Sequence, residues 1–445
     1  MTLSRRRLLQ GVGAGVAAGL VGTPASAADS TRVFVHPENG LLDDLVEAIE
    51  LVGGETLLEY DNFDFVVAEI PANRLDDLLA ASGVASVEED DETRIPDGWS
   101  PSLLDVLLPP DRSDCSTHPD QRVSWGHERI GADAVDADGA GVDVGILDTG
   151  IQTDHCSLSV AGGWNATAGS ATDYEDRHGH GTHVAGIAGA ADNDLGVVGV
   201  APAANLYAVK VLDDDGEGRY SELVAGIDWC MSNDVELISM SLGGEEESAT
   251  VDEAVEAAHA AGHLLLSAAG NEGNPGDGTC EAETMTYPAT HEDVVAVTAM
   301  NENDTLASYS SVGAAVDLLA PGTDVTSATV DNEYAEASGT SMACPFVTGV
   351  AALIWANRDA DGPGPNEEGR AILEDSAETV LDSCEEGHGL VDARGAVGDD
   401  RDAGDADDET GDGGPGSIGD RVVSVLRGIA NLILTVLEWL VGLFR

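Results

Sequence analysis

Apolar positions recur along the chain with two periods, and their arrangement changes near residue 121. Between residues 30 and 96, Thr31 to Val35 reads as a strand, and Leu41 to Leu51 carries apolar residues at 41, 42, 45, 46, 49 and 51, a helical spacing. Phe63 to Ile70 predicts a second strand, Ala72 to Ala81 a second helix, and Val84 to Glu88 a last short strand. These elements make a small α+β sandwich of ferredoxin-like type. From Gln121 onward, strands and helices alternate. Val142 to Leu147, Ala204 to Leu212, Val235 to Met240, Leu264 to Ala268, Val294 to Ala299 and Val316 to Ala320 read as strands. Helices are expected from Arg177 through Ala190, over Ser221 to Ser232 and Thr250 to Ala261, and from Gly339 to Asn357. The strands are nearly continuous apolar runs. This pattern predicts an α/β fold, a mainly parallel sheet covered by helices on both faces.

The flanks break these periods. Residues 1–28 hold Arg5-Arg6-Arg7-Leu8-Leu9, an apolar stretch from Gly11 to Gly22, and Ala25-Ser26-Ala27, the three parts of an export signal. The paired arginines before leucines mark the twin-arginine route, with a membrane anchor as the alternative. Residues 29–96 are the small acidic unit, and residues 97–120 a proline-rich linker or processing region. Residues 121–398 are the large unit. Residues 399–420, almost all Asp, Gly and Ala, read as a disordered acidic linker. Residues 421–445 form an apolar helix whose polar or small positions fall in one narrow stripe. Membrane contact and self-association both suit that stripe, and attachment to a membrane is the reading we favour.

Charge narrows the partners. The chain has 83 acidic residues against 19 basic ones, a formal net charge of −64. Such a surface repels phosphate backbones, so nucleic acid is not an expected partner. Molar salt screens charges to about 3 Å, which points to a protein adapted to high salt. The six cysteines, Cys115, Cys156, Cys230, Cys280, Cys344 and Cys384, show no CxxC spacing, and their pairing stays open. Cys230 and Cys344 lie in apolar helical patterns and are expected to be buried free thiols.

In parallel sheets the ligand crevice lies beyond the carboxyl ends of the strands. Asp148, Ser241 and Asn271 fall at expected strand ends, and His180 and Ser341 at expected helix starts. A serine at a helix mouth is commonly a plain cap. It becomes a nucleophile when a histidine takes its proton and an aspartate steadies the imidazolium. The amide of Asn271 and the backbone N–H of Ser341 could serve an oxyanion.

Asp148-Thr149-Gly150, His180-Gly181-Thr182-His183, Ser241-Leu242-Gly243-Gly244, Ala268-Ala269-Gly270-Asn271 and Gly339-Thr340-Ser341-Met342-Ala343 resemble, in this order, the motifs of the subtilisin-like serine proteases. The resemblance runs from about Gln121 to Val397. With the acidity and the twin-arginine signal, it looks most like the halolysins, extracellular proteases of salt-loving archaea. It implies Ser341 as nucleophile, His180 as general base and then acid, Asp148 as orienting carboxylate and Asn271 as oxyanion donor. Ser241, Leu242, Gly243 and Gly244 are implied to pair with an extended polypeptide substrate. Ala268, Ala269 and Gly270 are implied to line a specificity pocket with Glu272 at its rim, favouring large apolar residues before the cut. The unit at 29–96 resembles the inhibitory propeptide of these enzymes, so the chain is expected to be a secreted, self-processing zymogen whose processing bond is open between Asp90 and Gln121. A structural calcium ion is also implied, on Gln121, Ala191, Asn193, Leu195 and Val197. Ser157 stands where the family carries an aspartate ligand. No catalytic cofactor is implied.

Two other readings of the same residues stay in view. His178, His180 and His183 form an HxHxxH run that three imidazoles could turn into a zinc site, which would make the chain a metal-dependent hydrolase. A catalytically dead module that only binds is the other; it requires a lost member of the Asp148, His180, Ser341 and Asn271 set.

Overall fold

The computed structural model describes residues 30–38, 40–103, 115, 119–274, 283–357, 365–381 and 383–398. The expected export signal, the acidic linker at 399–420, the apolar helix at 421–445 and Cys280 lie outside the described residues.

The N-terminal unit is built from β1 (Ser30–Pro37), α1 (Leu42–Leu51), β2 (Glu55–Glu59), β3 (Val66–Pro71), α2 (Leu75–Leu79) and β4 (Val84–Glu89). Its four strands form an antiparallel sheet in the order β2-β3-β1-β4. One face carries Val33, Val35, Val66 and Ile70, buried against Leu45 and Ile49 of α1 and Leu78 of α2. The other face carries Phe34, Phe65 and Val67, which share a core with the large unit. β1 is buried on both faces for that reason. Two short strands follow, β5 (Glu92–Arg94) and β6 (Ser102–Leu103).

The large unit begins at α3 (Trp125–Arg129) and continues through β7 (Asp143–Asp148), β8 (Val160–Asn165), α4 (His180–Gly189), β9 (Asn205–Lys210), β10 (Glu217–Arg219), α5 (Tyr220–Ser232), β11 (Leu237–Met240), α6 (Ala249–Ala261), β12 (Leu264–Ala268), β13 (Val294–Met300) and β14 (Leu318–Pro321). Seven of these strands make one parallel sheet in the order β14-β13-β12-β11-β7-β9-β8. A hairpin, β15 (Val325–Thr329) and β16 (Glu333–Ala337), precedes the long helix α7 (Thr340–Asn357), and α8 (Pro365–Ser376) packs behind it. α4 and α7 cover one face of the sheet, and α5 and α6 cover the other. The expected α/β architecture is therefore observed. The added elements include β2, β5, β6, α3, β8, β10, the hairpin and α8, whose sequences lack an apolar period long enough to announce them.

α7 is long and apolar enough to cross a bilayer, but it is a core helix, buried from Thr340 to Trp355. Cys230 and Cys344 are buried free thiols. Burial pushes the Cys344 thiol up to about 11, and that of Cys230 higher still. Cys115 and Cys156 form a disulfide with a sequence separation of 41 residues.

The two units meet through capped helices. Asp90 accepts hydrogen bonds from the Ser221 N–H and hydroxyl at 2.8 and 2.7 Å, at the start of α5, and pairs with Arg32 at 2.7 Å. Glu88 accepts from the Thr250 N–H and hydroxyl at 3.1 and 2.6 Å, at the start of α6. Carboxylates belong at these positive helix ends. Burial raises the Asp90 carboxyl above the usual range even so.

Candidate active site

Asp148 ends β7 and is fully buried. His180 opens α4, and its Nδ1 lies 2.8 and 2.9 Å from the two Asp148 carboxylate oxygens. Glycine makes this approach possible, because a Cβ at Gly181 would overlap the Gly150 carbonyl and crowd the Asp148 side chain. Asp176 holds the turn ahead of α4. It accepts the N–H groups of His178, Gly179 and Thr182 and the hydroxyls of Thr149 and Thr182. Sequence reasoning missed this residue, although an aspartate just before a glycine-rich helix start is a recognisable capping signal.

Ser341 lies in the first turn of α7, and the local sequence makes its surroundings unusual. Pro345 is four residues on and has no N–H, so the Ser341 carbonyl lacks its helical partner. The Ser241 hydroxyl supplies the missing bond at 3.0 Å, and the Ser341 hydroxyl donates to the Ser241 carbonyl at 3.3 Å. Ser341 Oγ is thus engaged with Ser241, while His180 Nε2 is buried without a hydrogen-bond partner. The structure joins Asp148 to His180; it does not join His180 to Ser341.

Asn271 follows β12. Its Oδ1 accepts from the Thr340 N–H and hydroxyl, each at 3.0 Å. With its oxygen so held, the amide turns its Nδ2 outward, and Nδ2 donates to the Asp97 carbonyl at 2.8 Å. Thr340 also accepts from the Gly270 N–H at 3.1 Å, tying the glycine turn to α7.

Ser241, Leu242, Ala268, Ala269 and Thr340 are fully buried, and Gly243 and Gly244 are buried as well, with their backbone groups paired on both sides. Gly243 pairs with Arg94 through two backbone bonds of 2.9 Å, and Gly244 pairs with Tyr287 on its other side. On the opposite edge of that chain, β5 pairs with β10, and the Ile95 N–H donates to the Gly216 carbonyl at 3.1 Å. The segment 92–95 therefore fills a slot one strand wide between two backbone edges. A groove of about 860 Å³ beside it carries the carboxylates of Glu245, Glu246, Glu272 and Glu283. Arg94 pairs with Glu245 at 3.2 Å.

The histidine run is divided among separate tasks. His183 Nε2 donates to the Ala335 carbonyl at 3.1 Å, and burial lowers its pKa to about 3. His180 is committed to Asp148. Among the described residues, no group of three His, Cys, Asp or Glu side chains is placed to hold a metal ion. The proposed calcium loop also closes on itself. Gln121 Oε1 accepts the Asp194 N–H and Asn193 Oδ1 accepts the Leu195 N–H. The carbonyls of Ala191 and Leu195 accept from Gln121 Nε2 and from the Ser157 hydroxyl. Ser157 brings a donor where calcium would want a carboxylate, so this set does not fit the ion.

A buried aspartate–histidine pair and a helix-mouth serine stand beyond the carboxyl ends of a parallel sheet, beside a slot for an extended chain. Fold and site together define a serine endopeptidase. The pattern of the Subtilase family, Peptidase S8, matches residues 139–412, and the chain belongs to that family. Similar proteins include subtilisin DY of Bacillus licheniformis, 43% identical over 62% of this chain and 99% of that one. Subtilisin NAT of Bacillus subtilis subsp. natto is 40% identical over 62% of this chain and 72% of its own. A thermostable alkaline protease of Halalkalibacterium halodurans is 36% identical over 74% of this chain and 83% of its own.

Proposed function

We propose that this chain is the zymogen of an exported, salt-adapted serine endopeptidase. Ser341 attacks the peptide carbonyl, His180 takes its proton and returns it to the leaving amine, and Asp148 holds the ring and steadies its charge. Asn271 Nδ2 donates to the oxyanion, and Gly243 and Gly244 pair with the extended substrate. For attack, the Ser341 hydroxyl turns from the Ser241 carbonyl to the free His180 Nε2. The observation that carries this reading is the seating of residues 92–97: a strand in the slot, with the Asp97 carbonyl on Asn271 Nδ2. Residues 29–96 act as inhibitor in that reading, and 121–398 as the enzyme. Casein hydrolysis that Ser341→Ala abolishes, and that a sulfonyl fluoride but not a zinc chelator blocks, is the expected result. Block by the chelator alone would sink the proposal.

Export follows the twin-arginine route, and residues 421–445 hold the enzyme at the membrane. Deleting 421–445 then moves activity into the medium; unchanged partition refutes the attachment. Activity that grows with sodium chloride into the molar range supports salt adaptation, and an optimum at low salt opposes it. The pocket behind Gly243 favours large apolar residues before the cut, through the small residues Ala268, Ala269 and Gly270. Glu272 and Glu283 at the groove add an attraction for basic residues nearby. Calcium has no part in the proposal, since Gln121, Asn193 and the Ala191 and Leu195 carbonyls are engaged within the loop and Ser157 offers no carboxylate; a chelator is expected to leave the melting temperature unchanged.

A further inference from the structure

We infer that the bond cut in self-processing is Asp97–Gly98, and that the chain beyond it stays on the site after the cut. The inference rests on the zymogen reading above and assigns the bond that the sequence leaves open. Three contacts fix the register of the entering chain. Arg94 pairs with Gly243, the Ile95 N–H reaches the Gly216 carbonyl, and Asp97 O receives Asn271 Nδ2 at 2.8 Å. The carbonyl on the oxyanion donor is the one to be attacked. Gly98 follows with φ +101°, a left-handed conformation that a glycine adopts freely. The chain turns there and runs on past the site. Trp99 packs edge-on to His180, with ring centres 4.7 Å apart, and 5.6 Å from His183. Ser102 and Leu103 then pair with Glu336 and Ala335 of β16. The bond is thus anchored on both sides, by β5 before it and by β6 after it.

The step balances with water as the only co-reactant. Ser341 Oγ bonds to the Asp97 carbonyl carbon and its proton passes to His180 Nε2. The bond from Asp97 to the Gly98 nitrogen breaks, and that nitrogen takes the proton. Water, deprotonated by His180, then splits the Asp97–Ser341 ester into the Asp97 carboxylate and the restored hydroxyl. The new Gly98 amine belongs to a segment still joined through Cys115 to Cys156, and still paired through β6. Trp99 therefore remains over His180 as a covalently retained product.

Full-length wild type and Ser341→Ala should be followed by intact mass, N-terminal sequencing and peptide hydrolysis on one time course. Wild type is expected to gain the N-terminus Gly98-Trp99-Ser100-Pro101, while Ser341→Ala stays uncut. Gly98→Pro cannot adopt the required φ, and should slow this cut by roughly 100-fold. Peptide hydrolysis should lag behind the cut, and Trp99→Ala should shorten the lag. A new N-terminus elsewhere, with hydrolysis intact, overturns the bond assignment alone. Hydrolysis that rises in step with the cut overturns retention. Absence of hydrolysis under every condition strikes the endopeptidase reading itself.

Discussion

Replacing Thr340 by valine removes one oxygen and keeps the shape of the side chain. That oxygen donates to Asn271 Oδ1 and accepts from Gly270 N–H, while the Thr340 backbone N–H holds Asn271 a second time. A donor to a developing oxyanion is worth about 2.7–4 kcal/mol, so Asn271→Leu should cost about 100- to 1,000-fold in kcat. Thr340→Val leaves one of the two bonds that aim the amide. A neutral hydrogen bond is worth about 0.5–1.5 kcal/mol, which corresponds to about 2- to 10-fold in kcat. The stranded Gly270 N–H should also lower stability by about 1–3 kcal/mol. The assay is hydrolysis of a chromogenic peptide anilide with active sites titrated, so that kcat and KM separate. The decisive comparison is the double variant. If Thr340 acts through Asn271, then Thr340→Val adds nothing to the kcat loss once Asn271 is leucine. Equal losses in both backgrounds would refute the positioning role and leave only a structural one.

Other outcomes follow from the same contacts. Burial lowers His183 to about 3 and His127 to about 4, from an ordinary 6.5. The unfolded chain then binds more protons below pH 6.5, so stability is lost as pH falls, by about 2–3 kcal/mol per histidine at pH 4.5. Thermal melts should show that loss, and His183→Gln should flatten it; an unchanged slope would refute the assignment. Ser241→Ala strips the Ser341 carbonyl of the bond that replaces the one Pro345 cannot make, and should lower stability by about 1–3 kcal/mol along with kcat. A variant with normal melting and normal kcat would contradict this. Removing the Cys115–Cys156 bridge, with its separation of 41 residues, should lower stability by about 4 kcal/mol on the chain-entropy estimate. Denaturant titration of the Cys115→Ser, Cys156→Ser double variant against wild type measures it, and coincident curves would count against it.

The parallel strands were legible because burial on both faces leaves nearly unbroken apolar runs, as in Leu264 to Ala268, where expected and observed limits coincide. β5 was not legible. Glu92, Thr93 and Arg94 are polar, and backbone groups on two other segments make them a strand. The role of Thr340 was hidden for a related reason, since a threonine beside a glycine turn reads as turn chemistry until its hydroxyl is seen on Asn271. The pairing of Ser241 with Ser341 could have been found. A proline inside a buried helix, as Pro345 is, announces that the carbonyl four residues before it needs a donor from elsewhere. The calcium loop keeps its spacing, and the residue that weakens the set, Ser157 with a hydroxyl in place of a carboxylate, was itself legible in the sequence.

The slot between Gly216 and Gly243 is a single strand wide, and both of its walls bind through backbone groups. A helix, or a strand inside a sheet, already spends those groups on its own neighbours. On the proposed mode of substrate entry such a segment must first come loose, and the lifetime of a prey protein then depends on how often its chain opens locally. The enzyme then works as a gauge of foldedness. Compact neighbours outlast damaged ones, and its own body, with a sheet buried between two helical layers, is among the compact.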